Sequence, residues 1–302
     1  MKSFLQTKEW LDFQKHLGRA TWSFNNGKIA ANIVAHKLPL GKNYLYVPHG
    51  PVLNFDNFDS GVRNEVDNFL AYLKGLAKEN RSIFIKIEPI SDSVMELIFR
   101  KRMKRTDSVQ PQRTVVLNLG LSEEELLSRM HHKTRYNIKV AEKYGIIVKD
   151  GNDIDEFWKL LKKTAKRDRF SSHPADYYKK LLEYFSGDGM KVELAMAYHN
   201  EKAVAGALLM THDDTCYYLH GASDHDARSM MAPYALHWEN IKYLKTRGVK
   251  YYDLWGIDAR RWPGVTRFKL GWGGETKEYP GSFDIPVSSI WYLIYRIARK
   301  IF

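Results

Sequence analysis

One arrangement occurs twice along this 302-residue chain and limits its fold more than any single motif. It is a meander of short β-type runs, then a helical period, then a strand closed by a polar residue or a glycine. In the first half, residues 29–36 and 44–47 read as strands around the turn Pro39-Leu40-Gly41-Lys42. An amphipathic helical pattern follows at 62–78. A strand at 82–87 stops at Glu88-Pro89, where proline lacks the N–H that further pairing needs. Residues 93–105 form a second helical pattern with a basic end, and 114–119 a strand. The second half opens on a helix spanning 122–145. Ser122 and Glu125 stand at capping-box spacing there, and Gly145 sits at the expected stop. A short strand at 146–148 follows, then a helix opened by Asp153 and Glu156 and another after Pro174. Strands at 191–199, 203–211 and 216–220, a helix at 233–246 and a strand at 249–254 complete the pattern. The fold class implied is α/β (α+β), with two units of related architecture and a boundary near Gln110-Pro111-Gln112.

The formal net charge is +12, which calls for an anionic partner: RNA, an acidic membrane surface or a phosphorylated substrate. Cys216 is the only cysteine, so neither an intramolecular disulfide nor a Cys-rich zinc site is available, and its β-type surroundings make it a packing residue. The first ten residues lack the apolar core of a signal peptide, and no window reaches the ~20 apolar residues of a membrane span. A cytoplasmic protein is expected. The segment 288–302 is too short to span a bilayer. It is aromatic, apolar and basic, so it reads either as an interfacial helix or as a terminal helix docked on the fold.

Four stretches can carry chemistry. In 130–143, His131, Arg135, Lys139 and Lys143 recur every four residues and make a cationic stripe suited to phosphate, or a solvated face. In 162–170, the cluster around Arg167 either stabilises a helix C-terminus or clamps a diphosphate bidentately. In 217–223, strand alternation puts Tyr218 and His220 on one face, where they can line a cleft, His220 with the pKa of a general base. The fourth is Lys250-Tyr-Tyr-Asp-Leu-Trp-Gly-Ile257 followed by Phe268-Lys269-Leu-Gly-Trp-Gly-Gly274. It reads as a buried strand and aromatic turn, or as a sheet edge presenting the Lys269 cation where an acyl transfer develops negative charge. Residues 226–234, where an acyl-CoA-dependent acetyltransferase places its glycine-rich diphosphate loop, contain no glycine, which argues against an acyl-CoA donor. No dinucleotide, P-loop, H-E-x-x-H or G-x-S-x-G pattern occurs, so no cofactor or metal is expected.

Several segments resemble, in order and spacing, the Fem (FemA, FemB, FemX) family of aminoacyl-tRNA-dependent peptidyltransferases. They are Phe4-Leu-Gln-Thr-Lys-Glu-Trp10, Tyr46-Val-Pro-His-Gly-Pro51, Lys133-Thr-Arg-Tyr-Asn-Ile138, Ala165-Lys-Arg-Asp-Arg-Phe170, Ala232-Pro-Tyr234, Tyr252-Asp-Leu-Trp-Gly-Ile257 and Phe268-Lys269. The resemblance implies two tandem acetyltransferase-like (GNAT-like) domains, 1–110 completed by 282–302, and 111–281. The coiled-coil arm of larger members is missing, so the compact FemX-like form is the nearer match. The implied reaction moves an amino acid from aminoacyl-tRNA to an amine of a UDP-linked or lipid-linked peptidoglycan precursor. Lys269 matches the lysine assigned to the tetrahedral intermediate, with Phe268 beside it. Arg167 matches the arginine on the acceptor phosphates, Glu88 an acidic residue near the acceptor peptide, and Tyr218 an acceptor-lining tyrosine. His220 replaces a second such tyrosine, and Tyr177 joins the substrate-binding set. The early diphosphate lysine of FemX is Asp12 here, with Lys15 or Lys37 as substitutes. Lys133, Arg135 and Lys139 become tRNA or phosphate contacts, and 288–302 a peripheral contact with the inner face of the cytoplasmic membrane. An N-acyltransferase with another donor and a non-catalytic RNA- or membrane-binding protein are the rival classes.

Overall fold

A computed structural model describes residues 3–54, 60–92, 103–151, 153–168 and 170–301. The chain divides into two compact units, Met1–Gln112 with Tyr279–Phe302, and Arg113–Glu278.

The first unit holds a sheet in the order β1-β2-β3-β5-β14-β6, with the short β4 (Val52–Leu53) on β2. β1 (Thr21–Asn25), β2 (Ile29–Lys37) and β3 (Asn43–Pro48) form an antiparallel meander. β5 (Phe84–Glu88) then lies parallel to β3, reached through α2 (Ser60–Glu79). A parallel neighbour requires such a crossover. Val66, Phe69, Leu70, Leu73, Leu76 and Ala77 fall on one helical stripe of α2 and cover Ile33, Leu45, Val47, Ile85 and Ile87. β14 (Ser282–Pro286), from the far end of the chain, inserts between β5 and β6 (Lys104–Thr106), antiparallel to both. A buried ion pair accompanies the insertion: Lys86 Nζ lies 2.7 Å from Asp284 and also donates to Thr106 Oγ1 (2.8 Å) and Ser282 Oγ (3.0 Å). α1 (Lys8–His16), capped by Thr7, opens this unit, and α9 (Ser289–Ile301) closes it.

The second unit's sheet runs β13-β7-β12-β11-β10-β9-β8. β8 (Ile147–Asp150), β9 (Lys191–His199), β10 (Lys202–His212) and β11 (Thr215–Ser223) are antiparallel; β12 (Tyr251–Gly256) is parallel to β11. β7 (Arg113–Asn118) pairs antiparallel with β12 and with β13 (Glu275–Glu278). Between Ala203 and Thr211, β10 is buried at every residue, as expected for a central strand with helices on both faces. α7 (Ala232–Thr246) packs Leu236, Ile241 and Leu244 against Ala205, Ala207 and Leu209; Phe157 of α5 (Ile154–Asp168) meets Gly206 from the opposite face.

Three sequence expectations change. The helix expected over 122–145 is two, α3 (Glu123–Arg129) and α4 (His132–Lys143). The chain is extended at Met130 and His131, because Met130 turns into the core and the His131 side chain caps α4 by accepting from Lys133 N–H (3.2 Å). The capping box at Ser122 and Glu125 is present. Of the helix expected at 93–105, residues 93–102 lie outside the described residues. Its basic end is strand β6, whose pairing partner β14 arrives from the other end of the chain. Phe268 and Lys269, read as part of a sheet edge or an aromatic turn, lie on a helix, α8 (Pro263–Leu270).

Candidate active site

β11 and β12 stay paired only over Thr215–Tyr217 and Tyr251–Asp253, after which no further pairing joins them. Beyond that point β12 turns: Trp255 takes φ 59°, a left-handed conformation costly for a bulky residue, and the register with β7 shifts between Asp253 and Gly256. Asp253, fully buried, holds the turn. Its Oδ1 accepts the Trp255 N–H (2.7 Å) and the Thr114 hydroxyl, while Oδ2 accepts no hydrogen bond from the described residues. The turn aims the Gly256 carbonyl at α8, where Lys269 Nζ donates to it at 2.8 Å.

Lys269 is 7 % exposed. Burial lowers its pKa to about 8, the Asp253 carboxylate opposing the drop. Its ammonium lies 5.4 Å from the centre of the Tyr218 ring, within cation–π range. Phe268, His237, Tyr234 and Trp272 form a collar of edge-to-face and stacked rings around the same end of α8. Gly221 makes room for Tyr218: a Cβ there would sit 1.4 Å from the phenol oxygen. Burial lowers His237 to about pKa 3, so the collar holds a neutral imidazole, its Nδ1 2.9 Å from the Tyr252 hydroxyl.

Tyr218 and His220 do not share a face. In the β10–β11 register Leu208 opposes His220 and Leu209 opposes Tyr218, so Leu219 is an extra residue in β11 and the alternation flips. Tyr218 therefore joins Lys269 and His237, whereas His220 packs on Tyr178 and His173. Burial and the nearby His173 lower His220 to about pKa 3, too weak a base to serve as one at neutral pH. On His220's side, the α5 hydroxyl of Thr164 bonds the Ser223 backbone, and Tyr177 of α6 (Ala175–Tyr184) stacks on His173 at 4.1 Å. Arg167, near the end of α5, forks onto the adjacent Asp168 through two 2.8 Å bonds.

α4 begins where α8 ends: His131 N–H donates to Gly271 O at 2.9 Å. Lys133 and Lys139 are exposed on α4. Arg135 instead turns back on α3, donating to Leu127 O (3.2 Å) and to Met130 O, so it serves as a C-terminal cap. Cys216 is buried with its thiol pushed up to about pKa 12, which fits packing and not nucleophilic attack. Trp272 also lines a cavity of ≈ 280 Å³ with Asn118, Arg129, Tyr251 and Lys277, a space Lys269 does not reach.

Within the first unit, Glu88 is buried and accepts from the Tyr46 hydroxyl and from the Val109 and Gln110 N–H groups; burial raises its pKa above the usual carboxylate range. Its lone pairs hold β5 to the 108–110 turn. Lys15 is exposed on α1 and Lys37 at the end of β2, while Asp12 pairs with Lys8 across one helical turn.

The sequence reading missed Asp253. Its signal was a lone carboxylate inside an apolar β run, a position tolerated only when hydrogen-bonded. Asp253→Asn removes the charge that supports Lys269, so the lysine's titration should move from about 8 to lower pH. NMR titration of the labelled lysine Nζ checks this, and a midpoint still at 8 would contradict the coupling.

The FemAB family model matches the chain at residues 1–98, 98–203 and 189–300. The chain belongs to the FemAB family. Relatives include the lipid II:glycine glycyltransferases of Staphylococcus epidermidis, 23% identical across 98% of this chain and 91% of the relative, and of Staphylococcus aureus, 21% identical with the same coverage. Among solved structures, FemX superposes with a TM-score of 0.77 at 20% identity, covering 97% of this chain and 94% of FemX. A tandem GNAT protein from the clavulanic acid biosynthesis pathway gives 0.59 at 10% identity, over 92% and 94% of the two chains. The fold of this FemAB-family chain is thus the tandem GNAT-like α/β arrangement.

Proposed function

We propose that this protein is an aminoacyltransferase that moves an amino acid from aminoacyl-tRNA to an amine of a peptidoglycan-precursor stem peptide. The observation that carries the reading is a buried lysine, cationic at neutral pH, held by the Gly256 carbonyl beside Tyr218 where β11 and β12 part. Family membership and relatives named for glycine transfer to lipid II support the acceptor class. The +12 charge and the exposed Lys133 and Lys139 on α4 support a polyanionic donor.

In this mechanism the acceptor amine attacks the ester carbonyl directly, because the ester is already activated. The C–N bond forms, the carbonyl oxygen becomes an oxyanion beside the Lys269 ammonium, and collapse expels the ribose oxygen. The proton lost by the amine passes to that leaving oxygen. The protein contributes alignment and charge stabilisation. Phe268 and Tyr218 wall the lysine; on the other face of β11, Tyr177 and His220 are candidates for contact with the rest of the acceptor, and Arg167 exchanges Asp168 for an acceptor phosphate. Lys15 and Lys37 are the first unit's candidate cations for a diphosphate.

Charged tRNA pools incubated with a lipid-linked or UDP-linked precursor should yield a product heavier by one amino-acid residue, detected by mass spectrometry. No gain with any pool, or transfer from acyl-CoA instead, would overturn the reading. Arg167→Ala should raise acceptor KM by about tenfold, the scale of a charge-assisted bond, with kcat retained. An unchanged KM would remove Arg167 from the site.

A further inference from the structure

The C-terminal helix α9 presents two different faces. Tyr292 is buried against Ile83 and Phe84, with Trp291 and Tyr295 beside it, and its hydroxyl donates to Asp284 at 3.1 Å. On the outward face, Ile290, Leu293, Ile294 and Ile297 are 73%, 60%, 47% and 52% exposed, at the spacing of one helical stripe. A second element adds to this surface. The β2–β3 turn brings Lys42 Nζ to 4.2 Å from the Trp291 ring, and two residues earlier Leu40 is 80% exposed in a left-handed conformation.

The charged side chains of α9 itself all have one sign. Arg296 and Arg299 are exposed on α9, and Lys104 Nζ lies 5.7 Å from the Tyr292 ring. No acidic residue occurs between Pro286 and Ile301. Thirteen residues rise only about 20 Å, short of the ~30 Å hydrocarbon core, and no described helix is long and apolar enough to cross a membrane. Exposed aliphatic side chains on a helix that also carries exposed arginines and no acidic residue suit the boundary between acyl chains and anionic headgroups. A protein partner would favour aromatic anchors at the centre of the patch, and here the aromatics of α9 point inward. We infer that α9 and the Leu40 turn form a docking surface for an anionic lipid bilayer, with the helix lying in the plane of the interface.

The surface stands independently of the reaction proposed above. In flotation assays the full chain should bind vesicles of phosphatidylglycerol and phosphatidylcholine (1:3) and bind pure phosphatidylcholine at least tenfold less. Leu293→Glu/Ile297→Glu should lower binding to the anionic vesicles by at least tenfold, with circular dichroism and transfer to a soluble UDP-linked acceptor unchanged. Leu40→Glu should weaken binding in the same direction. Equal binding by the double variant, no binding by the parent chain, or a parent dimer that the double variant converts to monomer would each overturn the assignment, the last by giving the face to a second copy.

Discussion

Lys269→Met is expected to reduce turnover by about 10²–10³-fold, the loss typical of one donor to a developing oxyanion, while acceptor KM stays within about twofold. Methionine fills the volume of the aliphatic stem but removes the cation beside the buried Asp253 carboxylate, so urea unfolding of the variant is the check that it still folds. Burial lowers the pKa of Lys269 from 10.5 to about 8. The unfolded chain keeps this proton until near pH 10.5 and the folded chain only until about 8. The buried charge therefore costs stability below about pH 8, of order 3 kcal/mol, and the cost fades as pH rises from 8 to 10.5. Lys269→Met should abolish that rise in stability. Activity should run the opposite way: the ammonium is the working form, so turnover should fall above about pH 8, approaching tenfold per unit. A rate that climbs through this range would make the neutral amine the working species and sink the cationic role. Retained turnover in Lys269→Met would place the chemistry elsewhere.

Lys86→Met should have the largest effect on stability, about 3–5 kcal/mol, because it strands a buried carboxylate. The side chains of Lys86 and Asp284 are 4% and 2% exposed and 2.7 Å apart. Asp284 also accepts from Tyr292, so the network joins β5, β6, β14 and α9. The double variant Lys86→Met/Asp284→Leu should recover most of the loss, since neither charge is then left unpaired. Urea unfolding of the single and double variants measures both values. A single-variant loss below about 1 kcal/mol would show that Asp284 finds other hydrogen-bond partners at little cost.

Elements whose signals are local were legible. β9 and β10 are alternating or apolar runs flanking a turn, α2 and α5 have clear stripes, and Ser122 with Glu125 forms the capping box its spacing announced. The motifs also sufficed to name the family, and the tandem fold followed. Phe268 and Lys269 were singled out without the helix that carries them, because a Pro-Gly start and a Gly-Trp-Gly-Gly end conceal an eight-residue helix. The stripe from His131 to Lys143 assumed one continuous helix. The break at Met130 instead made His131 a cap and turned Arg135 inward.

By itself, then, the sequence determined what depends on neighbours a few residues away: periodicity, caps, turns, the excess of positive charge, and a family signature in ordered motifs. Tertiary structure decided which groups meet. The Leu219 bulge separates Tyr218 from His220; Asp253 and the strained Trp255 aim a carbonyl at Lys269; β14 brings Asp284 to Lys86. Each of these depends on pairing and burial between distant segments. Burial also sets the charge, since a lysine that would titrate near 10.5 in water does so at about 8 only once its surroundings are dry.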